Sequence, residues 1–237
     1  MKSYLAKMHL PLLTMTLIVV CTSLGNAASI TASGKADIYA AGLAAPPSGA
    51  NLPPSISFTA AAGQVLTITS VTGSVSFGGG LFCPADGCAS GFDFVSGTNI
   101  DPTGGLSGII DDPGHFFFLA GVFLTDSAPS GGGPATLDFT GNENFVSLSP
   151  EIAQVFYIGN GLTSSSQAQQ FLIPVTATRA FFGFVDGNAF HGAPTFYTDN
   201  AGQLNFTATV ADTPEPGSLA MLSAAALWLL ARRSQRS

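Results

Sequence analysis

The sequence predicts an all-β domain, an antiparallel β-sandwich of jelly-roll type, and two patterns in the chain carry this prediction. Short apolar segments recur along residues 28–213, and turn residues separate each segment from the next. Away from the two ends of the chain, apolar residues do not recur at the spacing of a helix. Short strands at regular spacing with glycine- and proline-rich turns are typical of sandwiches and other all-β folds.

Individual strands are predicted from the residue patterns. Residues 64–75 alternate apolar and polar side chains, which is the period-two pattern of a half-buried strand pair. Residues 115–124 form an almost continuous apolar run, which predicts one fully buried strand with a bend near Gly121. Further strands are predicted near Ile30 and at 55–59, 154–158, 171–175, 179–185 and 204–210.

Turn chemistry separates these strands. The predicted turns are the Asp-Gly steps at 86–87 and 186–187 and the glycine clusters at 131–133 and 159–161. The predicted loops are the proline- and alanine-rich residues 40–54 and the glycine-rich stretches 78–80 and 97–108. Long loops on a sandwich are frequent places for binding residues.

Residues 1–28 have the pattern of a secretory signal peptide. Lys2 and Lys7 precede an apolar run at 10–24, and small residues follow at 26–28. The pattern predicts export and a mature chain that begins near residue 28. Retention of this segment as an N-terminal membrane anchor is the alternative. The exported part, taken as a β-sandwich domain at 29–212, is long enough for one hydrophobic core.

The C-terminal segment, residues 213–237, has three zones. In order they are a Pro-Glu-Pro triplet, an uncharged apolar run and an arginine cluster: Pro214, Glu215 and Pro216, then residues 219–231, then Arg232, Arg233 and Arg236. The prolines disfavour continued regular structure, so the folded part is predicted to end at or before Thr213. The apolar run predicts a transmembrane helix shorter than the roughly 20 residues of a comfortable span. The arginines are predicted to stay in the cytoplasm.

This tail resembles the PEP-CTERM sorting signal of Gram-negative bacteria, which has the same three zones in the same order. The resemblance implies recognition by a membrane protease-transpeptidase of the exosortase type. It further implies passage through the inner membrane, removal of the tail, and a place at the cell surface or outside a cell that makes extracellular polysaccharide. A structural or adhesive role in that polysaccharide or biofilm is the expected function. An ordinary tail anchor that stays in the membrane is the alternative.

Charge excludes one class of partner. The chain has seven Lys and Arg against fourteen Asp and Glu. Between residues 28 and 213 the basic side chains are Lys35 and Arg179 alone. Such an acidic surface repels nucleic acid and anionic lipid and suits divalent cations, so no nucleic-acid partner is predicted.

Cys83 and Cys88 are separated by a turn-forming spacer, Pro-Ala-Asp-Gly. In an exported protein this spacing predicts a small-loop disulfide. A metal site at the pair would need further cysteines or histidines nearby in sequence, and none is present.

Oxygen-bearing side chains gather just before the predicted last strand, at Asp186, Asp199 and Asn200. Ca²⁺ takes six to eight oxygen ligands from carboxylates, amides and backbone carbonyls, and carbonyls near Phe196 would add to these three. The absence of a His or Cys cluster favours Ca²⁺ over zinc or copper. The alternative is a plain turn in which Asp199 and Asn200 satisfy local backbone groups.

The run from Asp186 through the segment 197–202 also resembles the C-terminal motif of calcium-dependent galactose-binding bacterial lectins with a small jelly-roll fold. In those lectins an Asp and a Tyr-x-(Asn/Asp)-Asn-x-Gly segment hold Ca²⁺, and a sugar diol completes its shell. The resemblance implies that Asp186, Asp199 and Asn200 are ligands, and Phe77-Gly78 falls where the lectins have Tyr-Gly. The loop after Asp186 is longer here, and Phe77 lacks a hydroxyl.

Catalytic motifs are absent from the sequence. It contains no Gly-x-Ser-x-Gly elbow, no His-Glu-x-x-His, no P-loop and no dinucleotide fingerprint. Asp111 and Asp112 are neighbours that point to opposite sides, so they do not form a carboxylate pair for glycoside hydrolysis. His115 and His191 are far apart in sequence, and each is interpreted as a loop or core histidine. The protein is therefore predicted not to be an enzyme.

Overall fold

The computed structural model describes residues 25–78 and 80–213. Most of the predicted signal peptide and the sorting motif, with Pro214, Glu215, Pro216, Arg232 and Arg233, lie outside the described residues. Within the described part, no helix has the length and apolar character needed to cross a membrane. The predicted span at 219–231 is outside that part.

The described chain is all-β, as the sequence predicted, with two short 3-10 helices at Ile38–Ala40 and Phe92–Phe94. The strands in chain order are β1 (Asn26–Ser33), β2 (Ser55–Ser57), β3 (Gln64–Ser76), β4 (Cys88–Ala89), β5 (Thr98–Ile100), β6 (Ile109–Asp111), β7 (His115–Phe116), β8 (Leu119–Leu124), β9 (Leu137–Asp138), β10 (Ser147–Leu148), β11 (Val155–Tyr157), β12 (Gln170–Leu172), β13 (Arg179–Phe184), β14 (Gly187–Asn188), β15 (His191–Pro194) and β16 (Ala201–Asp212).

These strands form several sheets. The first has the order β1-β16-β3-β12-β10 and the second β11-β8-β13-β2. A third sheet has the order β14-β15-β5-β6-β9, and β4 pairs with β7. Pairing is antiparallel except between β10 and β12, β15 and β5, and β6 and β9. The prediction of a wholly antiparallel fold is wrong at these three places, because each joins short strands distant in sequence whose connections are long enough for parallel pairing.

The hydrophobic core lies between the first two sheets, an arrangement consistent with a β-sandwich. Phe182 of β13 packs edge-on against Phe206 of β16, with ring centroids 5.3 Å apart. Phe156 of β11 and Phe171 of β12 are 5.1 Å apart and fully buried. Most of the phenylalanines are buried in this way, which accounts for a compact core in a chain with few charges.

The apolar run 115–124 is buried as predicted, but it is not one strand. Phe117 has a φ of +57° and separates β7 from β8, so the bend lies there and not near Gly121. Gly121 instead lies inside β8, where a Cβ would come within 2.7 Å of the Phe156 ring. The glycine therefore marks close packing between neighbouring strands.

The run 64–75 is likewise one long strand, β3, rather than a strand pair. Ser70 has a φ of +55°, and the register with β16 shifts between Asn205 and Thr207. A bulge at this point bends β3 while its pairing with β16 continues on both sides.

Short strands escaped the sequence prediction. β5 lies within the predicted loop 97–108, and β14 begins at Gly187, where a turn was predicted. Strands of two to four residues are too short to show a period of two, so the third sheet left no pattern in the sequence.

β1 begins at Asn26 and pairs with β16 from Asn26 opposite Val210 to Ser33 opposite Gln203. The predicted start of the mature chain near residue 28 therefore falls inside this strand. A chain that began there would keep the pairs from Ala28 opposite Ala208 onward.

Candidate functional site

A cavity of about 350 Å³ opens where the end of β3, the residues after β13 and the residues before β16 meet. It is lined by Phe77, Gly78, Asp186 and Asp199, among other residues. We call it the Asp186 pocket. The structure thus brings two of the predicted ligands to one place, together with the Phe-Gly step that lies more than a hundred residues earlier in the chain.

Asp186 directly follows β13 and is 3% exposed. Its Oδ1 accepts a hydrogen bond from the backbone N–H of Gly187 at 2.7 Å, whereas Oδ2 is buried without a hydrogen-bond partner. Burial raises the pKa of this carboxyl to about 7, and the charges of Asp199 and Asp37 act in the same direction. The Asn200 amide and the Gly187 N–H oppose the rise only in part.

Asn200 precedes β16 and is 2% exposed. Its Nδ2 donates to the backbone oxygen of Gly34 at 3.2 Å, and its Oδ1 is buried without a partner. A buried polar atom left unpaired costs about 1–3 kcal/mol of stability, so these two oxygens destabilise the fold locally.

Asp199 lies against the backbone of Gly78. Gly78 has a φ of +111°, and a Cβ built on it would lie 2.7 Å from Asp199 Oδ2. Glycine is therefore required here for two reasons, the backbone conformation and the space that the carboxylate occupies. Phe77, which also lines the cavity, packs edge-on against Phe116 and Phe190, at 5.4 and 5.3 Å between centroids.

Tyr197 is buried and hydrogen-bonds to the backbone on either side of Val185. Its hydroxyl donates to the backbone oxygen of Phe184 at 3.0 Å and accepts from the Asp186 N–H at 3.2 Å. Burial, with the nearby charges of Asp37 and Asp186, raises the pKa of Tyr197 well above its usual value. It stays neutral and positions the Asp186 backbone.

Sequence reasoning missed Asp37, which lies next to Tyr197. It is 3% exposed, and its Oδ1 accepts the Tyr39 N–H at 2.8 Å at the start of a 3-10 helix. Burial raises the pKa of Asp37. The only sequence pattern available was a single Asp, a residue type that is common at helix N-caps.

The donors of the Asp186 pocket fit Ca²⁺. Two carboxylates and an amide oxygen are hard oxygen ligands, and two of the oxygens have no other partner within the described residues. Asp186, Asp199 and Asn200 would hold the ion. Phe77 has no oxygen and contributes none.

The structure joins Cys83 and Cys88 by a disulfide, with 5.0 Å between their Cα atoms. Cys83 is bridged to Val75 at the end of β3, and Cys88 pairs with Phe116 in β7. The small loop therefore links β3 to β7 beside the Asp186 pocket.

Each of the two histidines that looked isolated in sequence lies beside a carboxylate. His191 Nε2 is 2.8 Å from Asp112 Oδ2, and its Nδ1 is 2.8 Å from the backbone oxygen of Ala189. Both neighbours are acceptors, so the protonated ring can donate to both. The hydrogen bond to Asp112 raises the pKa of His191, and His191 lowers the pKa of Asp112.

His115 faces the other member of the Asp pair. Its Nδ1 lies 3.4 Å from Asp111 Oδ2 and 3.3 Å from Glu143 Oε1. The hydrogen bond to Asp111 is the main cause that raises the pKa of His115, and burial opposes it. Asp111 and Asp112 do point in different directions, as their adjacency predicted. The contact with Glu143, 28 residues from His115, had no sequence pattern to reveal it.

No family model, curated protein or solved structure matches this chain.

Proposed function

We propose that this chain is an exported protein with a jelly-roll sandwich, processed by an exosortase-type membrane protease. It acts at the cell surface or in extracellular polysaccharide in a structural or adhesive role. The observation that carries the proposal is the order of zones at its C-terminus: proline triplet, short apolar run, arginine cluster. The acidic composition between the terminal segments and the Cys83–Cys88 disulfide are in keeping with work outside the cytoplasm.

The way the fold ends also supports attachment through the C-terminus. β16 ends at Asp212, and the Thr213 N–H donates to the backbone oxygen of Gly63 at 2.7 Å. β16 lies between β1 and β3, and it pairs with β3 from Ala201 to Asp212 and with β1 from Gln203 to Val210. A force on the tail would therefore be carried by a central strand of the first sheet.

Processing is tested with a double variant of the triplet, Pro214→Ala with Pro216→Ala, expressed in the native host. The expected result is accumulation of a membrane-bound form that keeps its tail, because the extended, accessible backbone before the apolar run is lost. Ser218→Ala, outside the triplet, serves as the control and should be processed normally. Equal processing of both would count against the proposal.

A calcium-dependent, lectin-like binding module is the second candidate function. The observation that favours it is that Asp186 and Asp199 line one open cavity, with Asn200 next to Asp199 in the chain and with unpartnered oxygens on Asp186 and Asn200. Phe196 lines the same cavity and is 55% exposed, so its ring is available to stack on the apolar face of a sugar. In this function the ion would be bound by the protein on one side and by a glycan diol on the other.

Calcium-dependent retention of the purified protein on a glycan or exopolysaccharide column tests the second function. Retention should be lost in Asp199→Ala and in Asn200→Ala and kept in Asp126→Ala, an exposed carboxylate on another loop. Calcium that raises the thermal midpoint without any glycan retention would leave a structural ion and rule out the lectin-like role.

A further inference from the structure

A second cluster of possible ligands lies away from the Asp186 pocket and involves none of its residues. It consists of Asp111, His115 and Glu143, and we call it the His115 cluster. Asp111 ends β6, His115 begins β7, and Glu143 comes from the loop between β9 and β10. One donor atom from each side chain lies within 4.8 Å of the other two.

The turn between β6 and β7 fixes two of the three side chains. Asp111 Oδ2 accepts the backbone N–H of His115 at 2.8 Å, which holds the carboxylate beside the imidazole. Glu143 is fixed through its backbone, since Gln169 Nε2 donates to its carbonyl oxygen at 2.7 Å. The imidazole Nδ1 is thus placed between two carboxylates before any ligand binds.

The Asp111 carboxyl is incompletely satisfied. Its side chain is wholly buried, and Oδ1 has no hydrogen-bond partner among the described residues. A Cβ on Gly114 would overlap this oxygen, so the glycine leaves room for the carboxylate against the backbone. A buried carboxylate needs a compensating positive charge.

Among the described residues, no basic side chain other than His115 is placed to supply that charge. Lys35 Nζ donates to the backbone oxygen of Thr198, and Arg179 donates to those of Thr125 and Ser127. These two are the only Lys and Arg between residues 28 and 213. The compensating charge is therefore either a proton on His115 or a metal ion.

The surroundings of the cluster add further negative charge and an open side. His115 and Glu143 line a cavity of about 240 Å³ together with Asp86 and Tyr157. Asp86 is held there by the Asn160 N–H at 2.7 Å. The cavity leaves space for water or another ligand beside His115 and Glu143.

The donor spacing selects the class of ion. A tetrahedral zinc site has metal–ligand distances of about 2.0–2.2 Å, which sets its ligands about 3.3–3.5 Å apart. The measured separations from Nδ1 to the two carboxylate oxygens are 3.3 and 3.4 Å. An imidazole nitrogen is also a ligand that zinc accepts readily and that calcium sites lack.

We propose that the His115 cluster binds a zinc-class divalent cation through His115 Nδ1 and one carboxylate oxygen each of Asp111 and Glu143, with water in the open position. The ion ties the β6–β7 turn to the β9–β10 loop. This site is distinct from the Asp186 pocket, so the inference does not depend on the proposed function.

The test is calorimetric titration of the purified full chain, stripped with EDTA, with Zn²⁺ at pH 7.5 in the presence of excess Ca²⁺. Calcium occupies the oxygen-only pocket and does not compete for the nitrogen-containing one. The expected result is one zinc per chain. Glu143→Gln and His115→Gln should each weaken binding by about a hundredfold or more, because even partners outside the ligand shell cost 10–100-fold.

His191→Gln is the matched control, because His191 is also paired with a carboxylate but both its ring nitrogens already have hydrogen-bond partners. This variant should bind zinc like the unaltered chain. A Co²⁺-loaded sample should show the visible absorption of a tetrahedral ion, and this band should be lost in Glu143→Gln. Absence of zinc binding to the unaltered chain, or equal binding by Glu143→Gln and His191→Gln, would overturn the proposal and leave a protonated His115 between two carboxylates.

Discussion

The Asp186 pocket and the His115 cluster each contain a buried carboxylate, but the groups around the carboxylate differ. In the Asp186 pocket burial raises the pKa of Asp186 to about 7, and the charges of Asp199 and Asp37 add to the rise. In the His115 cluster an imidazole lies between the carboxylates and can hold either a proton or a metal ion. The oxygen donors of the Asp186 pocket are ligands that calcium prefers, whereas the imidazole of the His115 cluster is a ligand that zinc accepts readily.

The largest expected effect comes from filling the space beside Asp111. Gly114→Ala places a methyl group on Asp111 Oδ1, so the carboxylate or the β6–β7 turn must move. We expect a loss of about 3 kcal/mol in the free energy of unfolding, at the upper end for overpacking a buried site. Urea unfolding measures it.

Gly132→Ala is the control for that change, because nothing lies within 4 Å of a Cβ at Gly132. It should alter stability by less than about 0.5 kcal/mol. Calcium binding should survive in both variants if the two sites are independent. Equal stability of Gly114→Ala and Gly132→Ala would show that Asp111 is not held as described.

The matching change in the Asp186 pocket is Gly78→Ala, compared with Gly80→Ala. Both glycines have positive φ, but only at Gly78 would the methyl group meet the Asp199 carboxylate. We expect Gly78→Ala to cost about 1–2 kcal/mol more than Gly80→Ala, since the backbone penalty is shared. It should also weaken calcium binding about tenfold, because the methyl group displaces the Asp199 carboxylate.

Thermal unfolding and calcium titration of the two variants measure these differences. If Gly78→Ala and Gly80→Ala bind calcium equally well, Asp199 is not a ligand.

The pH dependence of the Asp186 pocket follows from its raised pKa. Without metal, the folded state keeps a proton on Asp186 that the unfolded chain has lost, so the stability contributed by this group falls as pH rises from about 4 to about 7. Calcium binding requires the ionised carboxylate and should therefore tighten, by about 25-fold between pH 5.5 and 7.5. Calcium titration at these two pH values checks the prediction.

Asp186→Asn should remove this pH dependence in the absence of metal and weaken calcium binding at every pH. A calcium affinity that is flat from pH 5.5 to 7.5 in the unaltered protein would contradict the assignment of Asp186 as a ligand.

The smallest expected effect is that of His191→Gln. The pair with Asp112 lies at the surface, so its loss should cost at most about 1 kcal/mol. Neither calcium nor zinc binding should change. A larger loss of stability, or a weakened affinity for either ion, would mean that His191 supports one of the two sites.

The sequence could predict the Asp186 pocket and not the His115 cluster, for a reason of chain distance. Asp186, Asp199 and Asn200 lie close together before one strand, so their gathering is visible as a motif. Glu143 reaches His115 only because β9 and β6 pair in a third sheet whose strands are too short to show periodicity. The lack of a His or Cys cluster that favoured Ca²⁺ over zinc concerned Asp186, Asp199 and Asn200, and the His115 cluster includes none of these residues.

The buried strands were easier to predict than their ends. The alternation in 64–75 and the apolar run 115–124 follow from burial, because buried positions carry apolar residue types. The break at Phe117 and the bulge at Ser70 depend on positive φ in residues that ordinarily avoid it, and tertiary packing decides such positions.

Export with loss of the tail is the central claim of the proposed function, and the Cys83–Cys88 disulfide and the acidic composition are in keeping with it. Intact mass of the protein recovered from its native host tests it most directly. The account predicts a species without the first residues up to about 27, without the residues beyond Pro216, and with the Cys83–Cys88 disulfide formed. A soluble cytosolic species with both ends intact and both cysteines reduced would contradict it.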